Sequence, residues 1–119
     1  MMRAHFVILM IGLSASLRVS AQTTSTASVE RGQLLYEKNM CAACHGTVGN
    51  GGERGSGPRI APNVWPLDAL KIQLRNPRQA MPRYSEKFLS DRDAADIHSY
   101  LATIKAGPKA KDIPLLSNL

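Results

Sequence analysis

Cysteine is scarce in this chain, with two among 119 residues, and aromatic side chains make up 5%. Two cysteines cannot build a disulfide scaffold, a four-thiolate zinc site or a self-contained iron–sulfur cluster. The mature part of the chain holds no convincing strand pattern, so the elements to expect are helices and loops. The longest apolar candidate, residues 4–17, falls short of the roughly 17–25 residues that a spanning helix needs. Acidic residues are also the minority, 9 against 15 lysines and arginines. No basic motif interleaved with aromatics appears, which argues against a nucleic-acid partner. The 44% hydrophobic content is that of a globular protein, and the length leaves room for one domain.

The first residues read as an export signal. Met1-Met2-Arg3 is a short positive start, Phe6 to Leu13 an apolar run, and Val19-Ser20-Ala21 a small-residue cleavage site. The expected organisation is a signal peptide at 1–21, a loose lead-in at 22–28, one domain at 29–105 and a C-terminal extension at 106–119. Cleavage removes Arg3 and Arg18, so basic residues then lead acidic ones by four rather than six. It leaves no membrane span, and the protein is expected in the periplasm.

In the mature chain, Val29, Gly32, Leu35 and Tyr36 recur at three- and four-residue steps, which predicts a helix with Ser28 at its cap. Leu67, Leu70, the Lys71 stem and Leu74 predict a second helix, ended by Asn76-Pro77. Ser90 with Asp93 forms a capping pair. Behind it Ala94, Ile97, Tyr100, Leu101 and Ile104 share one face until Gly107-Pro108. Residues 46–66 hold six glycines and three prolines with no periodicity. A loop that long in so small a domain is expected only if it wraps something bulky and apolar.

Cys41-Ala42-Ala43-Cys44-His45 supplies that object. Two thiols three positions apart can add to the two vinyl groups of one haem, and the adjacent histidine can reach its iron. The other readings of a CxxC are weaker. A thioredoxin-like pair needs a βαβ setting, and a zinc half-site would have to borrow Met81 and His98, with no second CxxC. The third, an ordinary helical segment with two buried cysteines, leaves the histidine unexplained.

With CxxCH in place, the stretch from about Glu30 to Ile104 resembles the monohaem class I c-type cytochromes. The resemblance rests on Gly32 and Tyr36 four apart on the first helix, Ile97 and Tyr100 three apart on the last, and the loop Ala80-Met81-Pro82-Arg83-Tyr84. It implies an all-α fold of three to five helices around one covalent haem c, the two terminal helices crossing at the glycine. Tyr36 precedes Cys41 by five residues, where many relatives have four; Met40 is the extra one.

Subtraction and resemblance both point to Met81 as the second axial ligand beside His45. Met40 adjoins Cys41 and cannot reach over the ring, and His98 lies between apolar positions on the last helix. The resemblance also implies that the Pro58 carbonyl accepts a hydrogen bond from His45. Trp65 either packs on the haem, reaching a propionate, or fills the core. Tyr84 and Arg59 are further candidates near a propionate. The cofactor-binding set is therefore Cys41, Cys44, His45, Pro58, Trp65 and Met81, with His45 and Met81 on the metal.

Six-coordinate ligation of this kind exchanges one electron and leaves no open position. The expected function is a periplasmic one-electron carrier rather than an enzyme, serving a dehydrogenase, reductase or terminal oxidase. The alternative is a dedicated haem subunit of an exported dehydrogenase. A sensor or small peroxidase would require Met81 to leave the iron. Lys38, Lys71, Arg75, Arg78 and Arg83 are candidates for steering an acidic partner. The apolar Ile113-Pro114-Leu115-Leu116 either docks on such a subunit or packs across its own domain.

Overall fold

The computed structural model describes residues 26–52 and 56–115. The proposed signal peptide and residues 116–119 lie outside the described residues. Four helices follow in chain order, α1 (Thr26–Lys38), α2 (Cys41–His45), α3 (Leu67–Arg75) and α4 (Asp91–Thr103), with a 3-10 turn at Ala110–Asp112. Among the described residues there is no strand, and the architecture is all-α.

The chain enters helix earlier than the Ser28 cap suggests. Thr26, Ala27 and Ser28 include no glycine or proline, so nothing stops the helix propagating back into the expected lead-in. Helix α4 ends sooner than Gly107. Thr103 turns its hydroxyl onto the Tyr100 carbonyl at 2.7 Å, and Ile104 leaves in an extended conformation. The start of α4 is a complete capping box. The Ser90 hydroxyl accepts from the Asp93 amide at 3.2 Å, and Asp93 accepts from the Ser90 amide at 2.9 Å.

Helices α1 and α4 cross at Gly32. A Cβ there would overlap the Asp96 carbonyl and stand 3.0 Å from the Tyr100 Cβ, so only glycine permits this approach. One turn along, Tyr36 and Tyr100 pack with ring centroids 5.6 Å apart. Arg31 on α1 clamps the crossing by pairing with both Asp93 and Asp96. The core continues through Leu74, Leu89, Ala94, Ile97 and Leu101. Burial of each leucine is worth about 2 kcal/mol.

The extra residue before Cys41 is absorbed by a break in the helix. Met40 takes a left-handed conformation (φ 61°), which ends the α1 path and lets α2 restart with its own phase. Tyr36 therefore remains on the buried face of α1 despite the longer spacing. The segment 46–66 has no regular secondary structure among its described residues. It is cross-tied instead, the Gly49 carbonyl accepting from the Ile60 and Ala61 amides at 2.8 and 2.9 Å. In the extension, Leu115 is 90% exposed, so this residue does not pack across its own domain.

Candidate haem site

An apolar cleft with a cavity volume of ≈ 160 Å³, partly open to solvent, lies between α2, α3, α4 and the loop 46–66. Leu70, Leu74, Ile97 and Leu101 give it hydrocarbon walls. Cys41, His45, Pro58, Trp65 and Met81 also line it, so five of the six predicted site residues meet in one cavity. Cys44 is exposed, three positions along the same short helix as Cys41.

His45 Nδ1 lies 2.8 Å from the Pro58 carbonyl. A carbonyl can only accept, so Nδ1 carries the hydrogen and Nε2 of the neutral ring keeps its lone pair for a metal. Gly46 follows immediately with φ 79°, a positive-φ conformation that glycine adopts readily, and turns the chain away behind His45. Burial pushes the Cys41 thiol up to about 11, so this position suits a neutral sulfur, which a thioether is.

Met81 arrives from the loop between α3 and α4. Tyr84 anchors that loop: its amide donates to the Leu74 carbonyl at 2.9 Å, and its own carbonyl accepts from Arg75 at 3.1 Å. Gln73 on α3 donates from Nε2 to the Met81 sulfur at 3.4 Å. One sulfur lone pair is engaged and the other is left for a metal. A neutral nitrogen and a thioether lining one apolar cavity, with a thiol at its edge, are a donor set that fits haem c.

Other candidates lie elsewhere. His98 does not line the cleft; its Nε2 sits 3.0 Å from the Trp65 carbonyl. Met40 is 68% exposed. Trp65 lines the cleft while 55% exposed, which makes it a rim residue rather than core filling. Arg59 is on the cleft wall, whereas the Tyr84 hydroxyl points to the Asn39 carbonyl at 2.8 Å. Among the described residues no group of three His, Cys, Asp or Glu side chains gathers.

The family described as cytochrome c oxidase, cbb3-type, subunit III matches residues 27–101, which carry the crossing, the CxxCH helix and the Met81 loop. The chain belongs to this cytochrome c family. It is a monohaem c-type cytochrome. The cytochrome bc1 complex cytochrome c subunit of Corynebacterium diphtheriae is 38% identical over 85 residues, 69% of this chain and 29% of the relative. The subunit of the same name from Mycobacterium leprae is 34% identical over 89 residues, 72% of this chain and 30% of the relative. The chain thus spans under a third of the length of these relatives. Cytochrome c6 of Cyanidium caldarium is 28% identical over 105 residues, 82% of this chain and 90% of the relative.

Two features of this cytochrome escape sequence reasoning. Gln73 looks like a solvent-facing residue of an amphipathic helix, and only the return of the Met81 loop gives it a role. Lys71 and Arg75 are not free to steer a partner in the way expected of them. They pair with Asp91 at 3.2 and 2.8 Å and tie α3 to the start of α4. Both contacts hold Asp91 below the usual carboxylate range, Lys71 the more strongly.

Proposed function

We propose that this cytochrome is an exported, periplasmic one-electron carrier with one haem c bonded to Cys41 and Cys44 and ligated by His45 and Met81. The observation carrying this reading is the pair of neutral donors lining one apolar cleft, His45 with Nδ1 engaged by Pro58 and Met81 with its sulfur engaged by Gln73. Haem c held by an imidazole and a thioether supplies a one-electron iron couple. The protein's work is to hold both donors still. Pro58 fixes the imidazole orientation and raises its basicity, Gln73 aims the sulfur, and the hydrocarbon wall keeps water from the metal. Burial disfavours additional positive charge, which raises the potential. Trp65 covers the open edge of the cleft, and exposed Arg78 and Arg83 favour an acidic redox partner.

The test is optical and mass-based. Protein made in an export-competent host is expected to carry the mass of one haem after denaturation. Its ferric form is expected to show a sulfur–iron band that Met81→Ala abolishes, and its reduced form to exclude carbon monoxide. Colourless protein of bare polypeptide mass, or a band surviving in Met81→Ala, overturns the assignment. Likeness to the cytochrome c subunits of bc1 complexes favours a second reading, a haem subunit of a larger assembly. Size-exclusion of the native protein separates the two, since the subunit elutes as a stable large complex.

A further inference from the structure

The chain has three tyrosines, and all three hydroxyls end on backbone carbonyls beside the CxxCH helix. Tyr36 donates to Gly46 at 2.7 Å and Tyr100 to Thr47 at 3.0 Å, both just after His45. Tyr84 donates to Asn39 at 2.8 Å, just before Cys41. The first two arise from helices α1 and α4, which already cross. The third arises from the Met81 loop, 45 residues away in sequence, and nothing about helix packing requires it.

Asn39 needs such a donor because of the left-handed residue that follows it. In an unbroken helix the Asn39 carbonyl would accept from the Ala43 amide. With Met40 at φ 61° that amide turns to the Met40 carbonyl at 3.1 Å instead. The Asn39 carbonyl is left half-buried, a position that costs stability if unsatisfied. The Cys41 thiol approaches it at 3.9 Å, a weak donor that disappears once the sulfur is alkylated. The Tyr84 hydroxyl remains.

We propose that Tyr84 is a positioning residue, its hydroxyl locking the Met81 loop to the segment that bears the haem attachment, so that sulfur stays over the metal. This rests on Met81 being the axial ligand. The two residues between Met81 and Tyr84 make a short tether, and the Tyr84 amide and carbonyl are held by α3. The ring is nine-tenths buried, so its hydroxyl exchanges little with water. Without that hydroxyl the loop keeps its anchor to α3 but loses the one to the attachment segment. The states in which Met81 is detached then gain population.

The experiment compares ferric holoproteins of wild type, Tyr84→Phe and Tyr100→Phe. Tyr100→Phe removes an equivalent hydroxyl-to-carbonyl bond from the segment after His45. The readout is the sulfur–iron band followed through an alkaline titration, with thermal unfolding measured in parallel. Loss of one such bond raises the detached fraction roughly fivefold, which moves the midpoint of band loss down by about 0.7 pH unit in Tyr84→Phe. Tyr100→Phe is expected to lower thermal stability with the midpoint within about 0.2 unit of wild type. Equal midpoints in all three proteins, or equal shifts in both variants, overturn the proposal. A second measurement uses reciprocity. In Met81→Ala holoprotein, amide hydrogen exchange is expected to quicken at Met40 and Cys41 more than at Gly46 and Thr47. Uniform or absent change counts against the lock. A wild-type protein with no sulfur–iron band refutes instead the axial role of Met81, a result distinct from either.

Discussion

Gly32→Ala tests the reading of the α1–α4 crossing most sharply, because two opposing effects of known size meet there. In an exposed helix interior, replacing glycine with alanine stabilises by about 1 kcal/mol through backbone entropy and helix propensity. At position 32 the new methyl would overlap the Asp96 carbonyl oxygen and come 3.0 Å from the Tyr100 Cβ. The obstacle is helix backbone, which cannot swing aside as a flexible side chain does, so α4 must withdraw. Overpacking of this kind costs about 1–3 kcal/mol by itself. Withdrawal also loosens the Tyr36–Tyr100 contact and pulls Asp93 and Asp96 away from Arg31. Asp96 is a buried carboxylate, and leaving it without its guanidinium adds about 1–3 kcal/mol. The net is a destabilisation of about 1–5 kcal/mol. At about 4–8 °C per kcal/mol for a domain of this size, Tm falls by at least about 4 °C. The assay is thermal unfolding of the ferric holoprotein by far-ultraviolet circular dichroism. Gly107→Ala is the control, since a Cβ there meets nothing within 4 Å and the change should stay within about 0.5 kcal/mol. A Gly32→Ala protein as stable as wild type, or more so, refutes the close crossing.

Gln73→Leu removes the amide hydrogen from the Met81 sulfur and with it a partial positive charge that opposes the ferric state. The reduction potential is expected to fall by roughly 20–40 mV, the one-electron equivalent of a hydrogen bond worth about 1 kcal/mol or somewhat less, and potentiometry showing no change or a rise contradicts this. Ser90→Ala removes the cap of α4 and should cost about 1 kcal/mol at neutral pH by denaturant unfolding. The Ser90 hydroxyl, then its amide and Arg31, also hold Asp93 below the usual carboxylate range. Its contribution is therefore full above about pH 4 and is lost as pH falls further; unfolding curves below pH 4 should show a smaller loss in Ser90→Ala than in wild type.

What could be read from the residues alone was whatever their chemistry carries within a short spacing. CxxCH needs five consecutive positions, the capping box of α4 needs Ser90 and Asp93, and the apolar steps of α1, α3 and α4 need only helical periodicity. Gly32 was legible for the same reason, as a small residue on a periodic face. The tertiary structure decided which distant groups answer one another. Gln73 reaches Met81, His98 turns to the Trp65 carbonyl, Asp91 gathers Lys71 and Arg75, and Tyr84 meets Asn39. Apart from Gln73 and Met81, eight positions apart, these partners lie 16 to 45 residues apart. Their meeting depends on the path of the loops 46–66 and 76–90, which have no period to betray it. Even the extra residue at Met40 was visible only as an odd spacing. That it becomes a left-handed break, exposing a carbonyl for a tyrosine from the far side of the chain to satisfy, follows from the folded backbone's need to pair its own polar groups.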